Sequence, residues 1–112
     1  MSDYFPDRGD LVWLQFNPQA GDEHAGKRPA LVLSPKEYNR KTGLTLFCPI
    51  TRLVKGYPFE VKLPEGLSVE GVILVDQIKN LDWKSRSAQL ACKIPVEIMQ
   101  EVILKLETLF KD

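Results

Sequence analysis

All seven glycines and all eight prolines of this chain lie at or before Pro95, and none follows it. Because glycine and proline end helices and interrupt strands, that distribution confines everything upstream to short elements and leaves the remainder free to run as one helix. Upstream, DLVWLQF at 10–16, PALVLS at 29–34, LTLFCPIT at 44–51, FEVKL at 59–63 and GVILV at 71–75 read as strands, with a last extended stretch at 85–94, SRSAQLACKI. Alternation in the first strand points Leu11 and Trp13, or their neighbours, inward, and the PKEYNRKTG connection has room for a helical turn. From Pro95 on, Met99, Val102, Ile103, Leu106, Leu109 and Phe110 recur at helical spacing, while Glu97, Glu101, Lys105 and Glu107 take other faces. Proline suits a first helical turn. The expected fold is mainly β with α: a small, strongly bent β-barrel whose C-terminal helix buries its apolar stripe against it.

Length allows one core, so residues 1–112 are expected to form a single domain. A content of 44% hydrophobic and 27% charged residues is that of a folded, soluble chain. The net charge of zero conceals an asymmetry: from Lys27 to Lys55 seven basic residues face one acid, Glu37, which leaves +6 there and −6 elsewhere. Such a field attracts a polyanion, although a solvated basic face accounts for the same count. Cys48 and Cys92 lie far apart in apolar runs and read as buried thiols of a reducing compartment. MSDYFPDRGD offers no apolar signal-peptide core and no segment is long enough to span a bilayer, so a cytoplasmic protein without membrane association is expected.

The stretch DEHAGKRPALVLSP, 22–35, brings the single histidine, His24, together with Glu23, Lys27 and Arg28 at the foot of a strand. No Cys/His or carboxylate spacing forms a recognisable metal site, and nucleophile-elbow and phosphate-cradling glycine motifs are absent. A reaction that needs neither metal nor protein nucleophile is RNA cleavage by its own 2′-hydroxyl. It requires a base, a proton donor for the leaving 5′-oxygen, and cations on the dianionic phosphorane. An arginine fork fits the equatorial phosphoryl oxygens, which makes Arg28 a candidate for that position. Each residue also has a simpler account: a solvated arginine, an exposed imidazole, a threonine at Thr51 favoured by strand propensity, and Trp13 and Trp83 in the core.

GDLVWLQFNP, EHAGKRPALVLSP, YNRKTG, PIT followed by KGYPFEV, and GVILVDQIKNLDW resemble, in that order and from about residue 3 to the C-terminal helix, the MazF/PemK-like toxins of bacterial toxin–antitoxin modules. The resemblance implies an SH3-like β-barrel with a C-terminal helix, usually dimeric. It implies a metal-independent, cofactor-free, sequence-specific endoribonuclease that cuts single-stranded messenger RNA to leave a 2′,3′-cyclic phosphate and a 5′-hydroxyl. The implied partners are a cognate antitoxin with a flexible acidic tail that fills the RNA groove, and DNA only through the antitoxin complex. Carried over by position, the catalytic residues are Arg28 on the scissile phosphate, Thr51 as hydrogen-bond donor to it, and the acidic loop residue Glu23. RNA contacts fall to His24, Lys27, Arg52, Lys55, Gln77, Lys79 and Arg86. The chain departs from the pattern where relatives often carry histidine, here Lys27, and a small polar residue, here Arg52, so the recognised motif is not carried over. Two other classes fit the same fold: a non-catalytic binding module for nucleic acid or protein, and a toxin acting on a topoisomerase.

Overall fold

The structure is a computed structural model and describes residues 4–15 and 26–111. Among the described residues, seven strands and two helices follow in the order β1 (Asp10–Gln15), β2 (Lys27–Val32), α1 (Lys36–Thr42), β3 (Leu44–Thr51), β4 (Glu60–Lys62), β5 (Val72–Leu74), β6 (Lys79–Asp82), β7 (Gln89–Lys93) and α2 (Val96–Thr108). All pairings are antiparallel, and the sheet runs β4-β5-β3-β2-β1-β7 with β6 added to β3. The sheet is barrel-like but does not close, since β4 and β7 end the order without pairing to each other. Strand β3 does most of the bending: Leu44–Phe47 pair with β6, whereas Ile50 and Thr51 pair with β5. The change of partner falls at Cys48–Pro49, where proline has no N–H to continue a ladder.

Both faces of the central strands are buried, so alternation is less informative here than it looks. Leu11, Leu31, Cys48, Ile50, Ile73 and Val102 belong to the main core, against which α2 packs Ile98, Met99 and Leu106. The opposite parity, Val12, Leu14, Ala30, Val32 and Phe47, forms a second core closed by Trp83 and Phe5, whose rings meet edge to face at 5.6 Å. A strand covered on both sides reads as a near-continuous apolar run, which is what LVWL is.

The PKEYNRKTG connection forms a complete short helix, α1, ended by Gly43 at φ 75. Its fully buried Asn39 is the joint of this region. The side-chain amide donates to the Pro6 and Ser34 carbonyls at 2.7 and 3.0 Å, and its oxygen accepts from the Ser34 hydroxyl at 2.6 Å. The Ser34 oxygen in turn accepts from the Leu46 N–H at 2.9 Å, tying the end of β2 to β3. Trp83 donates its indole N–H to the Asn39 carbonyl at 2.8 Å.

A second polar knot fixes the start of β1. Asp10, 1% exposed, accepts from the Tyr4 hydroxyl, the Asp7 N–H and Lys93. Burial, then the bond to Asp10, pushes the Tyr4 phenol well above its ordinary range, so it remains a donor. Cys48 is buried as expected, and burial followed by the nearby Asp76 pushes its thiol up to about 12, which leaves it unreactive. Cys92 is half-buried and also free.

Candidate active site

Strand β2 begins at Lys27, two residues before the predicted start at Pro29, so Arg28 belongs to the sheet rather than to a loop. Its backbone lies opposite Leu14 of β1. On the other side β2 meets β3 with Ala30 against Pro49, the last pair before β3 turns to β5 at Ile50 and Thr51. Its pairing to β1 thus fixes where the guanidinium starts, and the residue is exposed.

Arg28 and Thr51 line one cleft of about 420 Å³, together with Lys27, Arg52, Trp13 and Glu70. Three cations and one carboxylate leave a positive surplus, as an anion-binding site requires. Among the described residues the Arg28 side chain has no hydrogen bond or ion pair within 4.0 Å, so its five donors face the cleft unspent. The Thr51 hydroxyl oxygen accepts from the Leu53 N–H at 3.1 Å, which orients the group and leaves its proton to be donated. Lys27 reaches Gln89 of β7 at 2.8 Å.

The rear wall is held by a close backbone approach. A Cβ placed on Gly71 would lie 2.3 Å from the Thr51 carbonyl oxygen, and Gly71 has φ +127, a conformation that side chains resist. Its carbonyl accepts from the Leu63 N–H at 3.0 Å, clamping it from the other side. Replacing Gly71 with Ala is expected to cost about 2 kcal/mol or more and to displace Thr51. Thermal denaturation checks the first effect, and loss of RNA cleavage at a temperature where the variant is folded checks the second.

Not every predicted RNA contact converges on this cleft. Glu23 and His24 lie outside the described residues. Lys55 stands 5.8 Å from the centre of the Tyr57 ring, in a stretch braced by the Glu60 carboxylate, which accepts from the Lys55 and Gly56 N–H groups. Lys79 is on β6 opposite Phe47, and Gln77 precedes it on the connection from β5; neither lines the cleft. Arg86 bonds the Gln15 carbonyl at 3.2 Å while its own carbonyl accepts from the Gln15 N–H, so it secures the end of β1. The +6 segment is also divided: Lys36, Arg40 and Lys41 sit on α1, where Glu37 pairs with the last two, and only Lys27, Arg28 and Arg52 reach the cleft.

Sequence reading passed over Ser68, Val69 and Glu70, which come from the turn before β5 and complete the wall. PEGLSVEG carries only turn signals, and nothing local to it reports its meeting with Thr51. Trp13, assigned to the core, packs on the main core and also lines the cleft. Among the described residues no three His, Cys, Asp or Glu side chains come together as a metal site. None of the described helices is long and apolar enough to cross a membrane.

Comparison with known proteins places this architecture. The sequence profile described as PemK-like, MazF-like toxin of type II toxin–antitoxin system matches residues 7–110. The chain is 47% identical over 109 residues to the Endoribonuclease toxin MazF of Escherichia coli (strain K12), covering 97% of each. It is 33% identical over 107 residues to the Endoribonuclease PemK of Escherichia coli, covering 92% of this chain and 80% of that one. Its fold matches the crystal structure of MazE-MazF (Form-II) from Deinococcus radiodurans with a TM-score of 0.87 and 50% identity, over 96% of this chain and 97% of that one. Profile, sequence and fold agree over nearly the full length, and the chain belongs to the PemK-like, MazF-like toxin family of type II toxin–antitoxin systems.

Proposed function

We propose that this chain, acting as one domain over residues 1–112, is the toxin of a toxin–antitoxin pair and a sequence-specific, metal-independent endoribonuclease. The observation that carries the reading is that Arg28, whose side chain has no hydrogen bond or ion pair among the described residues, lines one cationic cleft together with Thr51. The relatives named as endoribonucleases supply the reaction class. A phosphodiester of single-stranded messenger RNA enters the cleft, and Arg28 holds its non-bridging oxygens bidentately. Thr51 donates to the same phosphate. As the 2′-oxygen attacks phosphorus, negative charge grows on those oxygens, and a preorganised cation and donor stabilise it more than they stabilise the substrate. The 5′-oxygen leaves, giving a 2′,3′-cyclic phosphate and a 5′-hydroxyl.

Guanidinium keeps its protons near neutrality, so Arg28 acts through charge and hydrogen bonds. Proton transfer falls to Glu23 or His24 on the segment between β1 and β2. Lys27 and Arg52 extend the cationic track, and Lys55, Gln77, Lys79 and Arg86 contact RNA beyond the cleft. A cognate antitoxin inhibits by laying an acidic, flexible tail along the same surface; a MazE-MazF complex is known for the Deinococcus radiodurans relative. The working unit is a homodimer. In support, the outer side of α2 leaves Val96 and Leu104 68% and 64% exposed beside Met99 and Ile103, an apolar groove that a second copy would cover. The protein works in the cytoplasm, with its messenger RNA substrate, and reaches DNA only through the antitoxin complex.

The test is incubation of a long transcript with the purified protein in the presence of chelator. Discrete fragments are the expected result. Retention of RNA without cutting identifies a binding module instead, and intact RNA with impaired supercoiling identifies a toxin acting on a topoisomerase.

A further inference from the structure

Glu70 is a negative charge in a place built for an anion. It shares the cleft with Lys27, Arg28 and Arg52, yet among the described residues it forms no ion pair within 4.0 Å. A carboxylate beside a phosphate site weakens phosphate binding unless it serves another part of the ligand. Its position shows which part. Glu70 also lines a second hollow of about 420 Å³, so it stands on the ridge between the two. The second hollow is lined by apolar Leu63, Pro64, Val72 and the exposed Val54, with Lys62 and a second carboxylate, Glu65, also on its wall. Gly71, clamped between Thr51 and Leu63, fixes the backbone immediately after Glu70. A partly apolar recess one residue away from a phosphate clamp, with the Glu70 carboxylate shared between the two, fits a splayed nucleobase.

Resting on the endoribonuclease reading, we infer that this hollow is a nucleobase subsite flanking the scissile phosphate, and that Glu70 reads the base in it by accepting from an exocyclic amino group. Adenine, cytosine and guanine each present such a donor. Uracil has no exocyclic amino group: its one donor on that edge, the ring N3–H, lies between two carbonyl oxygens, which a carboxylate repels. Glu70 is therefore a specificity residue that excludes uracil at one position beside the cut.

The test compares cleavage ends of the wild type and Glu70→Gln on one long natural transcript. In the wild-type motif one position next to the cut is depleted of uracil about tenfold or more. Glu70→Gln, whose amide can donate to a uracil carbonyl, loses that depletion and keeps the other positions of the motif. A variant that cuts every site slower by one common factor, or one whose motif is unchanged, overturns the assignment. Should the wild type cut nothing, the endoribonuclease reading falls, and base reading is decided by uncleavable 2′-O-methyl oligonucleotides. The inference expects oligo(A) and oligo(C) to bind the wild type about tenfold tighter than oligo(U), and Glu70→Gln to bind all three alike. Equal wild-type affinities contradict it.

Discussion

Arg28→Ala is expected to lower the cleavage rate by about a thousandfold or more while leaving the fold and thermal stability unchanged. The size follows from what is removed. In the proposed mechanism Arg28 supplies both a full charge and a planar fork at the phosphoryl oxygens, and removal of a single neutral donor from a preorganised oxyanion site already costs about a hundredfold. Fold preservation follows from its exposure and from the lack of any bond between its side chain and a described residue. Arg28→Lys separates charge from geometry: it retains the first and loses the second, and an intermediate rate is expected because lysine is a point charge without the bidentate match. Single-turnover cleavage of a short RNA containing the mapped site measures both. Cleavage by Arg28→Ala within tenfold of the wild type would mean that the fork does not stabilise the transition state.

The largest effect on stability is expected far from the cleft, at Asn39. Asn39→Leu leaves the Pro6 and Ser34 carbonyls and the Ser34 hydroxyl without the partners that the side chain gives them. Buried groups orphaned in this way cost about 1–3 kcal/mol each, so a loss of about 4 kcal/mol is expected, with a fall in melting temperature of roughly 20 °C. The consequence reaches the active site through the chain of bonds. Asn39 holds Ser34, Ser34 holds Leu46, and this joint fixes against each other β2 and β3, the strands that carry Arg28 and Thr51 to the cleft. Urea or thermal unfolding measures the loss, and a change below about 1 kcal/mol would show that the polar joint is replaceable by apolar packing.

Much of this architecture is legible in the sequence because local signals agree with the fold. Strands β1, β3, β4 and β5 lie within the apolar runs bounded by glycine and proline, β2 starts two residues ahead of its run, and α2 starts at Val96, directly after Pro95. Strand β6 was not foreseen: in KNLD only Leu81 is partly buried, and its pairing with β3 rather than its own pattern makes it a strand. The first strand shows the limit of alternation, since Val12 and Leu14 are as fully buried as Leu11. The site divides in the same way. Arg28 is a candidate from its own chemistry and Thr51 only by resemblance to a family, and their meeting in one cleft is a long-range property that no window of sequence contains. Glu70 was invisible for a related reason: its role comes from the contact of Gly71 with Thr51, twenty positions away in the chain.

The central claim is that RNA breaks itself under the guanidinium of Arg28, its own 2′-oxygen being the nucleophile. The direct measurement uses an oligonucleotide that carries the mapped cleavage site with a single 2′-deoxy substitution at the nucleotide 5′ to the cut, compared with the all-ribose strand by mass spectrometry of the products. The account predicts that the all-ribose strand yields a 2′,3′-cyclic phosphate and a 5′-hydroxyl, and that the substituted strand remains whole. Cleavage of the substituted strand at the same position and an undiminished rate would contradict it.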